Sequence, residues 1–242
     1  MYREKFYDVL GAIGERVDLV VVPKNSGLKG YVWKVLKEAG FDLEKARKVS
    51  ETKLDMDGLT VLLRRGEDVP RIVEVERRVG RFAVGVTGDD LFDEYRYGNP
   101  NNRLSLVNTY DWDDENAEFR RPTMCLMVRN DQVLAAPSEI NLGINSKYEC
   151  TGRLYLATSD VVKGLRMNIE TFDGDLEETV ERFCIAMCID NVYSGKTRRD
   201  ANLDIVERIR ASDVSVIAPA GDYAMLEKLA KEIPLGSTVD RR

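Results

Sequence analysis

The sequence predicts an α/β protein whose strands run mostly parallel, and three observations carry that prediction. The chain has 242 residues, 43% of them hydrophobic and 32% charged. That balance suits a globular protein and leaves room for one large domain or two small ones. Apolar runs of strand length alternate with segments of helical periodicity. The stretches leading from a strand into the next helix are polar and glycine-containing, as they are where helices cross between parallel strands.

The elements follow in order. Residues 2–14 have amphipathic helical spacing. Val17-Asp-Leu-Val-Val-Val-Pro23 is a β-branched run closed by proline, a buried strand. Lys24-Asn-Ser-Gly27 is a turn, and Leu28 to Ala39 reads as a helix stopped by Gly40. Leu59–Leu63 is a strand and Pro70–Val79 a helix; Arg81–Val86 is a strand, and Thr87-Gly-Asp-Asp90 leads into a helix from Leu91. Tyr95–Arg121 carries Asn-Pro-Asn-Asn and the acidic run Asp111-Trp-Asp-Asp-Glu115, and reads as a long loop or exposed insertion. Thr123–Val128 and Gln132–Ala135 are strands, and Gly143–Tyr148 a strand end and loop. Leu176–Val192 is helical or helix-then-strand. Ile205–Ile209 and Val214–Ala218 are strands, and Tyr223–Ile233 is a closing helix.

Composition excludes several functions. Lys and Arg number 36 against 42 Asp and Glu, for a net charge of −6, which argues against a non-specific nucleic-acid binder. Histidine is absent, removing Ser-His-Asp and Cys-His catalysis and His-ligated zinc. No apolar run approaches a membrane span and the start does not resemble a secretory signal, so a cytoplasmic protein is expected. None of the four cysteines forms a CxxC pair; Cys184 and Cys188 are expected on one buried helix face.

Ligands of parallel sheets sit beyond the carboxyl ends of strands. That puts Lys24–Gly27, Arg64–Asp68 and Thr87–Asp89 on one candidate rim. Lys24 suits a phosphate, Asn25 and Ser26 a polar ligand; Gly88 admits a close backbone approach, and Asp89 caps a helix or binds substrate. Arg65 and Asp68 read equally as an exposed ion pair. The acidic 111–115 run reads as a solvated loop with at most weak affinity for Mg²⁺. Ser194-Gly-Lys-Thr197 is the richest segment: a glycine turn, two hydroxyls and an ammonium form a cup for an oxyanion, which a helix starting at Thr197 would reinforce. It is not a Walker A loop, since Asp190 stands where that motif needs glycine. Asp190 is placed to accept hydrogen bonds from sugar hydroxyls. A side chain at Gly195 is expected to fill the cup.

The order of these motifs resembles the catalytic subunit of the ATP phosphoribosyltransferase family, which opens histidine biosynthesis. Pro23-Lys-Asn-Ser-Gly-Leu28 is similar to the family's Pro-Lys-Gly-Arg/Ser-Leu loop, and Arg65-Gly-Glu-Asp-Val-Pro70 with Val73 to Arg-x-x-Asp-Ile-Pro-x-x-Val. Gly85-Val-Thr-Gly-Asp-Asp-Leu91 resembles Gly-Ile-Thr-Gly-x-Asp-x-Leu, and Ile144-Asn-Ser-Lys-Tyr148 resembles Val/Ile-Ala-Thr-Lys-Tyr. Glu177, then Asp190-Asn-Val-Tyr-Ser-Gly-Lys-Thr-Arg-Arg-Asp-Ala-Asn-Leu203, resembles Asp-x-Val-x-Thr-Gly-x-Thr-Leu-x-x-Asn-x-Leu. The chain departs from the family at Gly143, where it has arginine, and at Arg198, where it has leucine.

The resemblance implies two α/β lobes like a type II periplasmic binding protein, with a ligand cleft between them. Lobe I is drawn as 1–103 plus 207–242, on the acceptor side, and lobe II as 104–206, on the phosphoribosyl diphosphate side. It implies transfer of 5-phosphoribosyl to ATP with release of diphosphate. Asp190 and Glu177 would be catalytic. Ser194, Gly195, Lys196, Thr197 and Arg198 would hold phosphoribosyl diphosphate. Lys24, Asn25, Ser26, Arg65, Asp68, Thr87, Gly88 and Asp89 would hold ATP. Mg²⁺ would accompany the diphosphate, no metal ligand being assigned on the protein. A homo-oligomer and a regulatory subunit like histidyl-tRNA synthetase are the implied partners. Another acceptor, or anion binding without chemistry on the same fold, stays open.

Overall fold

A computed structural model describes residues 17–24, 30, 32–33, 47–50, 52–56, 59–130, 139–174, 179–180, 182 and 184–221. The expected helices at 2–14 and Tyr223–Ile233, the strand at Gln132–Ala135, and most of the Leu28–Ala39 helix lie outside them; Gly30, Val32 and Trp33 are helical. The chain separates into two compact units, one of residues 1–88, 101–110 and 214–242, the other of 89–100 and 111–213.

The first unit is built on β1 (Leu19–Pro23), β2 (Arg47–Ser50), β3 (Lys53–Met56), β4 (Leu59–Arg64), α1 (Val69–Arg78) and β5 (Ala83–Gly88). β1 and β5 are buried along their whole length, the burial expected of central parallel strands built from apolar and small residues, Leu-Val-Val-Val-Pro in β1 and Ala-Val-Gly-Val-Thr-Gly in β5. Pro70 starts α1 where its missing N–H costs nothing, and the buried Val69 and Val73 face the sheet at Gly85. A Cβ at Gly85 would lie 2.8 Å from each valine, so the glycine lets the helix approach.

α2 (Asp89–Gly98) groups with the second unit; β6 (Leu104–Tyr110) returns to the first. The second sheet contains β7 (Thr123–Arg129), β8 (Ile140–Asn145), β9 (Met167–Phe172), β10 (Met187–Val192) and β11 (Leu203–Ala211). Its helices include α3 (Glu149–Thr158) and the single turn α4 (Lys196–Asp200), and Thr179, Val180 and Arg182 are also helical. β12 (Val214–Pro219) goes back to the first unit.

The first sheet has the order β2-β3-β4-β1-β5-β12-β6 and the second β11-β7-β10-β8-β9. Parallel pairing holds for β4–β1–β5 and for β10–β8–β9. The remaining pairs are antiparallel, so both sheets are mixed.

Three expectations are corrected. Tyr95–Arg121 is no long loop: it finishes α2 and supplies strand β6. The acidic 111–115 run is a solvated loop only in part: Asp111, Asp113 and Glu115 are exposed, whereas Trp112 is buried and Asp114 accepts hydrogen bonds from Asn116 and Tyr193. Cys184 and Cys188 share no helix face: Cys188 is buried in β10, and Cys184 is exposed in a turn with φ of 50°.

Candidate functional site

β8 and β10 run parallel in the second unit with Ile144 beside Ile189, so their carboxyl ends deliver Asn145 and Asp190 side by side. Beyond β8, Ser146–Tyr148 forms a 3-10 turn in which Asn145 Oδ1 accepts from the Lys147 N–H at 3.2 Å. α3 follows, and Glu94 of α2 caps it: its carboxylate accepts from the N–H groups of Cys150 at 2.6 Å and Thr151 at 2.9 Å. A carboxylate on unpaired helix-start amides is the expected complement, and it fixes the turn that carries Lys147.

Beyond β10 the chain turns through Tyr193–Gly195 into α4. Gly195 is left-handed, with φ of 69°, a conformation that favours glycine. A cavity of about 430 Å³ opens between these two strand ends. Asn145, Lys147, Asp190, Ser194, Gly195, Thr197 and Arg198 all line it.

Asp190 is half-buried. Burial pushes its carboxyl up to about 6; the Asn191 N–H, the Asn145 side chain and the Lys147 charge pull the other way. An acid poised near neutrality and held by directed donors in a cavity is a functional-site signature. Behind it, Asn191 Nδ2 donates to Asp90 Oδ2 at 3.3 Å. Asp90 lies in the first turn of α2, is 4% exposed, and burial raises its pKa.

The sequence analysis assigned no role to Asn145, Lys147 or Asp90. The first two lie in the Ile144–Tyr148 motif, which carried the signal. Asp90 is the second acid of the Gly85–Leu91 motif, whose first acid, Asp89, is already engaged. It pairs with Arg210 at 2.8 Å and accepts from the Asp213 N–H at 2.8 Å.

The expected anion cup is present with one revision. Ser194, Lys196 and Thr197 are exposed. Arg198 is committed elsewhere: Nη2 donates to Glu118 Oε1 at 2.8 Å and Nη1 to the Leu203 carbonyl at 2.9 Å. A side chain at Gly195 would not enter the cup first, because a Cβ there falls on the Glu118 carboxylate. The partly buried Arg198–Glu118 pair is a charge-assisted bond of a kind that contributes roughly 1.5–3 kcal/mol.

The loops of the first unit hold the other candidates. The Lys24 N–H donates to the Arg64 carbonyl at 2.6 Å. Arg65 is exposed. Asp68 pairs with Arg71 at 3.2 Å, not with Arg65. Thr87 is fully buried and its hydroxyl donates to the Gly66 carbonyl at 3.0 Å; Gly88 ends β5. Asn25, Ser26 and Glu177 lie outside the described residues.

A family model described as HisG: ATP phosphoribosyltransferase matches residues 65–234. The chain belongs to that family. The match spans every described candidate of both units except Lys24. Among solved structures, an ATP phosphoribosyl transferase (HisG:HisZ) complex from Thermotoga maritima is 16% identical, with a TM-score of 0.61 over 88% of this chain and 98% of that one. A Bacillus subtilis lipoprotein described as methionine-binding is 8% identical, with a TM-score of 0.50 over 90% of this chain and 91% of that one. Both likenesses show the fold, the α/β type that ATP phosphoribosyltransferases share with type II periplasmic binding proteins. A sequence search of curated proteins gives no match. Among the described residues, no helix is long and apolar enough to cross a membrane.

Proposed function

We propose that the protein transfers the 5-phosphoribosyl group from phosphoribosyl diphosphate to ATP and releases diphosphate. The observation that carries this reading is the cavity of the second unit. It sets a half-buried carboxylate, Asp190, four residues from a glycine turn whose Ser194 and Thr197 line the cavity and whose Lys196 is exposed. The turn suits a terminal phosphate, and the carboxylate suits the hydroxyls of the ribose attached to it.

The reaction needs no protein nucleophile. An acceptor atom on the base forms a bond to the anomeric carbon while the bond from that carbon to the diphosphate oxygen breaks. The electron pair leaves with the diphosphate, and the developing positive charge lies on the sugar. Asp190 orients the ring hydroxyls and, as a carboxylate, favours that charge. Lys147, beside Asp190, balances the anions. Lys24, Arg65 and Gly88 are the proposed acceptor-side groups, with Thr87 holding their scaffold from inside.

Magnesium enters this reading as the partner of the diphosphate. The described residues contain no group of three or more His, Cys, Asp or Glu side chains that could hold a metal, so the ion's ligands would be substrate oxygens and water, a usual arrangement for Mg²⁺. The family resemblance carries the proposals of a cytoplasmic homo-oligomer and of a regulatory subunit.

The test has two stages. Phosphoribosyl diphosphate with Mg²⁺ should raise the melting temperature, and adding ATP should then release diphosphate. Stabilisation without release for ATP, but with release for another base, moves the proposal to a different acceptor. Stabilisation by unrelated anions alone makes the protein a binding module.

A further inference from the structure

The acidic segment before β7 holds the anion turn. The Glu118 N–H donates to the Tyr193 carbonyl at 2.7 Å. Glu118 Oε1 accepts from Arg198 Nη2 at 2.8 Å, and Oε2 from Arg199 Nη1 at 3.4 Å. Arg199 then grips the turn's own backbone at the Ser194 carbonyl, 3.1 Å away, and Arg198 ties α4 to the Leu203 carbonyl at the start of β11. Four residues earlier, Asp114 accepts from the Tyr193 hydroxyl. Arg198 lines the cavity but Glu118 does not, so the carboxylate supports the turn from outside the space a ligand would fill.

We propose that Glu118 is a positioning residue for the anion turn: it fixes the left-handed Gly195 geometry before ligand arrives and withdraws Arg198 and Arg199 from direct phosphate binding. Two consequences follow. A turn held in its working shape spends little binding energy on ordering. With both guanidinium groups engaged, the cation that the turn itself offers a phosphate is the exposed Lys196, assisted by the Ser194 and Thr197 hydroxyls. The ligand in this inference is the one proposed above; the geometry is independent of it.

Hydrogen exchange on the unliganded protein and calorimetric titration with phosphoribosyl diphosphate test it together. In Glu118→Ala, the Arg199 and Ala201 amides, which donate to the Gly195 and Thr197 carbonyls, should exchange about tenfold faster, while the amides of β7 and β10 keep their rates. Affinity for phosphoribosyl diphosphate should fall about tenfold in Glu118→Ala and equally in Arg198→Ala, and the double variant should lose no more than either alone. Glu118→Gln keeps the shape but accepts from only one guanidinium, so it should fall between. Unchanged exchange in Glu118→Ala overturns the proposal. So do additive losses, which would put Arg198 on the phosphate. If the wild-type protein binds no phosphoribosyl diphosphate, the functional proposal fails while the exchange result still decides this one. If Glu118→Ala does not fold, Glu118→Gln and Arg199→Ala carry the exchange measurement.

Discussion

The strand-end loops of the two units look alike in sequence and differ in what their polar groups do. In the first unit, Thr87 turns its hydroxyl inward to the Gly66 carbonyl, and Asp68 closes on Arg71 within the same turn of chain. In the second, Asn145, Lys147 and Asp190 converge on a cavity, and the hydrogen bonds that hold them also tune the central carboxyl. A strand, a polar loop and a helix therefore locate a rim without saying which loop works. The distinguishing mark is a polar side chain, held by directed bonds, that still faces open space.

The largest effect that would sharpen this contrast belongs to Asp190. Asp190→Asn should lower turnover at saturating substrates about 10²-fold if orientation of the ribose is its main contribution. The same variant should melt no lower than wild type at pH 7, because the buried charge it removes opposes folding there. A turnover number equal to wild type would remove Asp190 from the site.

The pH dependence comes next. Asp190 titrates near 6 in the folded protein against an ordinary value of 3.8. Activity that needs the carboxylate should rise as pH rises through about 6. Stability should move the other way: between the two values the folded state binds more protons than the unfolded, so this group's contribution falls with rising pH. Thermal melts of wild type against Asp190→Asn across that window should show the difference, and parallel curves would mean the carboxyl is not buried as described.

Thr87 should behave oppositely to Asp190. Thr87→Val removes a buried donor and leaves the Gly66 carbonyl with the Val69 N–H as its remaining partner, which should cost about 1 kcal/mol and lower the melting temperature by about 2–4 °C. Turnover per folded molecule should stay near wild type; a loss of turnover with no loss of stability would make the two rims equivalent. The smallest effect is at Asp68, whose pair with Arg71 is largely exposed. Asp68→Asn should change stability by no more than about 0.5 kcal/mol, and a large rise in KM for ATP would place its carboxylate on the acceptor after all.

Much of this was readable in advance. β1, β5, β7 and β12 announce themselves as valine-rich or alternating runs closed by turn residues, and α1 by its proline start. The β2–β3 hairpin was not legible: Arg47–Ser50 and Lys53–Met56 are short, charged strands at one margin of the sheet, β2 pairing with β3 and β3 with β4, and those neighbours rather than their own periodicity set the pairing. β6 was hidden for the same reason, since its partly exposed residues alternate irregularly and its partner, β12, lies about a hundred residues on. At the site, the glycine turn and Asp190 were legible because glycine and a carboxylate at the end of an apolar run have few structural reasons to be there. The engagement of Arg198 by Glu118 was not, because nothing local links positions 80 residues apart. Position 143 gives the converse lesson. The family's arginine would have to displace neighbours there in this chain, since even a Cβ would come within 2.7 Å of the end of the Ile185 side chain and 3.1 Å of the Phe172 ring, and the glycine is what lets those side chains pack as they do.

The chain crosses between its units at 88/89, 100/101, 110/111 and 213/214, and β12 lies between β5 and β6 in the first sheet. During synthesis, β6 leaves the ribosome long before β12, its pairing partner among the described residues. The second unit, whose last strand ends at Ala211, is complete while the first sheet still has β5 as an open edge. Completion of the first sheet by β12 and β6 must therefore wait for residues 214–219, which close a loop of about a hundred residues from β6. That long-range step slows folding and leaves an unpaired valine-rich edge exposed to intermolecular pairing in the meantime.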